Sequence, residues 1–397
     1  MISEFRESVE GNTRLLVPAA SLTEKVPPKR PAFFNPAAKL NRDISILVYR
    51  NFISECKQYA KSFADAFSGI GARALRVAVE VPGIENIYLN DINILAIDAA
   101  KKAAELNGVA EKCYYSIDEV CKFLTQHSTT KNGERFGIID LDPFGTPAPF
   151  IDCVLRSIHD GGLISITATD TTVLCGVYPA ICHRRYYGRS LNTKYTNEIA
   201  LRLMISLIAL TAARLDLAIK PIFVHTNLHY LRVYVKVSVS SSKANEVYDN
   251  IGYLRHCFRC GNRNAVERYE MSKVCEICGG SFSIAGQMWI NKLFDKNFIG
   301  KLISHQEVVS NNTDIQGIKK IDRPHRLFSI CMDELDDIPY YFRGDEIASK
   351  LRINPYPLQT VIEKLSSSGY RASKTSFNPS AFKSDARIDE ILDIMRK

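Results

Sequence analysis

The 397-residue sequence lacks both features that would tie it to a membrane. It shows no secretion signal. It shows no apolar run long enough to cross a bilayer, since residues 201–210 are interrupted by Arg202 and follow an amphipathic pattern. These absences predict a cytoplasmic, soluble protein with no membrane partner. Charge of either sign is also in short excess: 28 Lys and Arg face 23 Asp and Glu before residue 240, and 23 face 20 after it, for a net +8. Such a balance permits a nucleic-acid partner without requiring one. There is no internal repeat, and 46% apolar with 24% charged residues excludes extensive disorder. Nothing points to an obligate protein partner. Eleven cysteines without a secretion signal are expected as reduced thiols.

The length allows two or three domains. From residue 62 to 168, short apolar runs alternate with helix-period segments, "SFADAFSGIG", "ARALRVAVEV", "NIYLNDIN", "ILAIDAAKKAAELNG", "CYYSID", "EVCKFLTQH", "FGIIDLD", "PFIDCVLRSIHD" and "GGLISITAT". That alternation predicts a doubly wound parallel sheet. A helix over residues 196–215 follows, and then "IKPIFVHTN" and "HYLRVYVKVSVS" form an antiparallel pair closing the sheet's edge. A Ser-rich stretch places the domain boundary near residue 240. The expected organisation is a catalytic domain over 1–240 and a C-terminal α+β domain over 241–397, helical from about Asn291.

In "DAFSGIG", Gly69 and Gly71 bare the backbone where a strand feeds a helix, so a ligand can approach the helix N-terminus. Asp65, Asp91 and Asp118 stand at three successive strand ends. Asp91 is placed for ribose hydroxyls and Asp118 for an adenine amino group, with helix capping as the bland alternative for each. A dinucleotide fingerprint would need a glycine where the chain has Ala74. The terminal antiparallel pair fits instead the Rossmann-like class I fold of S-adenosylmethionine-dependent methyltransferases.

The fourth strand ends in "DLDPFGTPAPF". Enzymes that methylate exocyclic amines carry Asp or Asn, Pro, Pro and an aromatic here, because a ring-delocalised amine needs an acceptor for its hydrogens. Asp142 supplies that acceptor, and Phe144 a face on which an extruded base stacks. Asp140, still inside the strand, is expected to be structural. Asp170 is equally suited to touching substrate and to ordering its loop. "HRRYYGRSLNTKY" interleaves Arg184, Arg185, Arg189 and Lys194 with Tyr186, Tyr187 and Tyr195, as an RNA-contacting surface would. Cys257, Cys260, Cys275 and Cys278 form C-x2-C-x14-C-x2-C, the spacing of a closed structural Zn2+ site in a zinc ribbon. Residues 343–376 have the pattern of a winged helix.

"FFNPAAKLNRDIS", "DLDPFGTPAPFID", "TATDTTVLCGVYP" and "TSFNPSAFKSDA" closely resemble the tRNA (guanine-N2)-dimethyltransferase family, over nearly the whole chain. The resemblance implies transfer of two methyl groups from S-adenosyl-L-methionine to N2 of guanine 26 of tRNA. It implies that Arg42, Arg73, Asp91, Asp118 and Glu119 bind this cofactor, that Asp142 is catalytic, and that Phe33 and Phe144 sandwich the guanine. The glycine turn departs from the family's usual Ile-Arg, leaving Arg76 as an alternative to Arg73. Two other readings stay open: an N6-adenine or N4-cytosine methyltransferase, and a non-catalytic zinc-ribbon RNA-binding protein.

Overall fold

A β-hairpin that the apolar pattern does not signal begins the fold, β1 (Phe5–Glu10) paired with β2 (Thr13–Pro18). The computed structural model describes residues 4–56, 61–128, 135–227, 229–267, 273–311 and 323–396. After the short helix α1 (Ala20–Thr23), an extended strap with Pro27, Pro28 and Pro31 leads to "FFNP" and to α2 (Lys39–Glu55). The strand and helix alternation then follows as expected: β3 (Ser62–Asp65), α3 (Ala72–Glu80), β4 (Asn86–Asn90), α4 (Ile94–Leu106), β5 (Cys113–Ser116), α5 (Val120–Thr125), β6 (Phe136–Leu141), α6 (Ile151–Ser157) and β7 (Ile158–Ala168). Every residue of β3 and β6 is buried, because helices cover both sheet faces.

The short helices α7 (Thr171–Leu174) and α8 (Pro179–Tyr186) and the long α9 (Thr196–Ala213) precede β8 (Leu217–Asn227) and β9 (Tyr230–Val239). The sheet order is β5-β4-β3-β6-β7-β9-β8, parallel through β7 and antiparallel in its last two pairings. β8 and β9 close the edge as expected. The chain reverses direction across the sheet between β3 and β6, so the cleft at their carboxyl ends is where such folds hold ligands.

Three expectations need correction. The helix over "PFIDCVLRSIHD" stops at Ser157, because Ile158 already pairs with Phe136 and the following residues are drawn into the sheet ladder. α9 is by length and composition apolar enough to cross a membrane, yet 72% of it is buried, and its Glu198 and Arg202 pair with each other at no exposure. It is the core helix of the fold. The cysteines are not all free thiols: Cys121 and Cys153 form a disulfide joining α5 to α6. They lie 32 residues apart in sequence and meet because the two helices pack side by side.

Beyond α10 (Ser241–Asn245), β10 (Ile251–His256), β11 (Arg263–Val266) and β12 (Ser283–Trp289) form a three-stranded antiparallel sheet carrying the cysteine knuckles. Then come α11 (Lys296–Asn311), which starts five residues later than expected, α12 (Arg323–Asp333), β13 (Phe342–Arg343), α13 (Gly344–Leu351), α14 (Leu358–Ser367), β14 (Ala372–Lys374), β15 (Ala381–Ser384) and α15 (Ile388–Arg396). The order β13-β15-β14 beside α13 and α14 is the winged-helix arrangement read from the sequence. The apolar core does not break at residue 240: one cluster runs from Leu15 through the sheet to Leu254, Trp289, Phe328 and Ala381. Where the two parts meet, Lys383 of β15 reaches Glu198 of α9 at 2.7 Å and Glu334 at 3.2 Å, all buried.

Candidate active site

The glycine turn after β3 lies beside the carboxylates that follow β4 and β5, Asp91 and Asp118, at the same end of the sheet. Gly69 (φ +52°) and Gly71 (φ +76°) occupy left-handed backbone. A side chain at Gly71 would strike Leu89 at 2.9 Å, so α3 can pack this closely on β4 only through glycine. Asp91, ending β4, accepts the Gly69 N–H and the Asn93 N–H, each at 2.9 Å. Each oxygen keeps a second lone pair for a hydroxyl donor. Asp118 follows β5 with its side chain about a quarter exposed, and the hydrogen bond from Lys122 at 2.5 Å holds its carboxyl below the usual range. The helix-cap alternative for Asp118 is excluded, since Glu119 caps α5 by accepting the Lys122 N–H at 3.1 Å. A cleft of about 540 Å³, lined by Tyr114, Ile117, Asp118 and His127 among others, adjoins this side.

Asn90, wholly buried, was not singled out by any motif. Its amide donates to Ala66 O and Asp118 O and accepts the Asp118 N–H, stitching together the ends of β3 and β5. Asp65 lies almost fully buried at the end of β3. Burial, with Asp140 and Asp142 nearby, pushes its carboxyl well above the ordinary range, so it favours the neutral form.

Asp142 is the half-exposed end of a chain of alternating charges. Arg73 of α3 donates from Nη2 to Asp142 at 2.5 Å and from Nη1 to Ser45 at 2.6 Å and Asn41 at 3.1 Å. Its Nε stands 3.3 Å from Asp140. Asp140 is fully buried against Arg232 and Tyr49, as its position inside β6 predicted. Burial raises the Asp140 carboxyl, but Arg232 and Arg73 outweigh it and leave the group below its usual range. Arg76 points elsewhere, to Glu80, Asp43 and Glu10, so of the two candidate arginines only Arg73 reaches the cleft carboxylate.

Arg42 grips Glu10 with Nε and Nη2, both at 2.6 Å, donates to Asn35 O at 3.1 Å, and lies 5.0 Å from the Phe34 ring. It thereby fixes the "FFNP" segment on α2. Among the described residues its Nη1 has no partner. The anchoring acid Glu10 comes from the hairpin, which sequence patterning did not flag.

Phe33 and Phe144, more than a hundred residues apart, meet with ring centroids 4.8 Å apart and planes at 79°. Phe144 is 64% exposed although it touches Phe33. Its loop is pinned from behind: the Gly145 N–H donates to Thr169 Oγ1 at 2.7 Å, and the Thr169 N–H donates to Gly145 O at 2.9 Å. Gly145 has φ +82°, so the turn needs glycine. Asp170 accepts from Tyr186 at 2.8 Å and from Arg185 at 3.3 Å and so orders the loop. Arg184, Arg189 and Tyr187 remain exposed on and just beyond α8, while Tyr186 and Tyr195 are buried.

The four sulfurs of Cys257, Cys260, Cys275 and Cys278 lie within 4.8 Å of one another, with Cys257–Cys278 at 3.5 Å and Cys260–Cys275 at 3.6 Å. Tetrahedral zinc with sulfur at about 2.3 Å needs such spacing. The Asn262 N–H at 3.5 Å from Cys260 and the Gly280 N–H at 3.4 Å from Cys278 point at sulfurs, as they do around thiolates. The donor set therefore fits Zn2+ and leaves it no open position.

Residues 11–396 match the family model described as N2,N2-dimethylguanosine tRNA methyltransferase. A tRNA (guanine(26)-N(2))-dimethyltransferase of Methanothermobacter thermautotrophicus is 36% identical over 387 residues, covering 97% of both chains. A tRNA (guanine(26)-N(2)/guanine(27)-N(2))-dimethyltransferase of Aquifex aeolicus is 31% identical over 98% of this chain and 95% of its own. Among solved structures, Trm1 from Pyrococcus horikoshii in complex with S-adenosyl-L-methionine superposes with a TM-score of 0.80 at 27% identity, covering 98% of this chain and 99% of that one.

Proposed function

The chain belongs to the N2,N2-dimethylguanosine tRNA methyltransferase family, and from that premise we propose that it methylates N2 of guanine 26 in tRNA twice. The observation that carries this reading is the apposition of Phe33 and Phe144 beside Asp142. At 4.8 Å the two rings fill their own gap, so the guanine enters when they part and then lies between them. Asp142 accepts hydrogen from the exocyclic amine, which favours a pyramidal nitrogen and frees its lone pair, and takes the proton released as the N–C bond forms. Once that proton has passed to solvent and the spent cofactor has been exchanged, the same carboxylate accepts the remaining hydrogen in the second round.

S-adenosyl-L-methionine, when bound, supplies the methyl group. Asp91 suits its ribose hydroxyls, Asp118 and Glu119 its adenine, Gly69 and Gly71 its approach along the turn, and Asp65 shapes the floor beneath. Arg42 offers its unpaired Nη1, and Arg73 its positive field, to the methionine carboxylate. Cys257, Cys260, Cys275 and Cys278 hold a structural zinc. The C-terminal part, residues 241–397, and the exposed cations of α8 grip the tRNA away from the target base, in the cytoplasm and without an obligate protein partner. Incubating unmodified tRNA transcript with the protein and labelled cofactor, then digesting to nucleosides, is expected to yield label in N2,N2-dimethylguanosine. Label confined to methyladenosine or methylcytosine overturns the proposal.

A further inference from the structure

The strap between α1 and "FFNP" reads "EKVPPKRPAFF", and neither the cofactor cleft nor the base clamp uses its cations. Lys25, Lys29 and Arg30 are all exposed, against a single acid, Glu24. The strap is held in place: Asn93, next to the Asp91 site, donates from Nδ2 to Pro31 O at 2.8 Å, and Arg42 holds Asn35 O beyond it. Pro27, Pro28 and Pro31 restrict the backbone between these anchors and the cations. Lys29 Nζ lies 5.3 Å from the centroid of the Phe144 ring, so Lys29, with Arg30 next to it and Lys25 four residues before it in the chain, stands at the mouth of the base clamp. None of the three forms an ion pair among the described residues.

From this placement we propose that Lys25, Lys29 and Arg30 form a phosphate clamp for the tRNA backbone flanking the target guanine. The inference rests on the tRNA methyltransferase reading above. A base drawn out of its helix drags its own phosphates toward the clamp, where they are stripped of part of their counterion atmosphere. Cations fixed beside Phe144 neutralise them without paying the ordering entropy of a free loop. The strap faces the 5′ or 3′ phosphate of one nucleotide from the Phe33 side, while the exposed arginines on and beyond α8 belong to the segment that braces Phe144 through Asp170. The target nucleotide is thus flanked by cations carried on two separate segments.

The test uses the full chain with Lys25→Gln, Lys29→Gln and Arg30→Gln combined, and Lys61→Gln as a control on an exposed lysine just before β3, at the sheet end away from the cleft. Methylation of unmodified tRNA transcript is measured as KM and kcat at several salt concentrations, with thermal melting to confirm the fold. The combined variant is expected to raise KM for tRNA by about tenfold, more than it lowers kcat. It should also flatten the dependence of log(1/KM) on log[salt] by about two units, as loss of two to three phosphate contacts requires. The control should leave the slope as in the parent chain. An unchanged KM and slope in the combined variant, with the parent chain active, overturns the phosphate clamp, as does an equal flattening by Lys61→Gln. A parent chain that transfers no methyl group to guanine overturns instead the function on which the clamp rests.

Discussion

Two buried ionic chains run through this molecule, and they end differently. One is Arg232, Asp140, Arg73 and Asp142; the other is Arg202, Glu198, Lys383 and Glu334. Both alternate in sign, and in both most members have essentially no exposure. The second stays buried from end to end, in the seam between α9 and the C-terminal part. The first surfaces at Asp142, whose side chain is 31% exposed at the cleft where β3 and β6 diverge. Burying charge costs several kcal/mol per ion unless each is paired, so both chains must be complete to be tolerated. Only the one that reaches the cleft can hand its order to a substrate.

The largest effect expected from this contrast is on stability. Lys383→Met strands Glu334 without its cation and leaves Glu198 with Arg202 alone, and the unfolding free energy should drop by about 3 to 5 kcal/mol in denaturant titrations. Activity per folded molecule should survive, and a collapse of activity at unchanged stability would show that the seam communicates with the cleft. Phe144→Ala removes one face of the proposed clamp and should lower kcat/KM by about ten- to a hundredfold, as the loss of one stacked base contact does. Its melting temperature should hardly move, because Phe144 is largely exposed. Equal losses in Phe144→Ala and in an exposed aliphatic variant away from the strap, such as Val239→Ala, would deny the clamp.

A smaller effect is expected behind the clamp. Thr169→Ala deletes the hydroxyl that accepts the Gly145 N–H and should reduce kcat/KM about fivefold, the size of one ordinary hydrogen bond. Thr169→Ser should restore it. The smallest is a pH effect. Burial, then Arg232 and Arg73, hold His225 well below its ordinary pKa, so the native protein keeps it neutral while the unfolded chain takes up a proton below about pH 6.5. Stability should therefore be lost as pH falls below that value and be flat above it. His225→Gln should lessen the slope of melting temperature against pH between about 6.5 and 5.

Much of the site is legible in the sequence because its chemistry is local. Gly69, Gly71, Asp91 and Asp118 follow from strand ends and turn residues, and Asp142 with Phe144 from one tetrapeptide. The four-cysteine site follows from spacing alone. The partners of these residues are not local. Glu10, which holds Arg42, sits on a hairpin whose short alternation is too weak to read. Arg232 and Tyr49 look like ordinary members of an apolar strand and helix until the fold closes them on Asp140. The disulfide between Cys121 and Cys153 arises only when two neighbouring helices are laid on the same sheet. The boundary read near residue 240 falls in a polar stretch, yet the apolar core crosses it, since α9 packs on β12 as well as on β8 and β9.

We propose that Asp142, aimed by Arg73, accepts hydrogen from the guanine amine. Asp142→Asn keeps the shape and removes the charge, so the decisive measurement is its rate of methyl transfer to tRNA beside its affinity for S-adenosyl-L-methionine by calorimetry. A loss of about a hundred- to ten-thousandfold in transfer with cofactor affinity retained is the predicted result. Near-parent transfer by Asp142→Asn would contradict it.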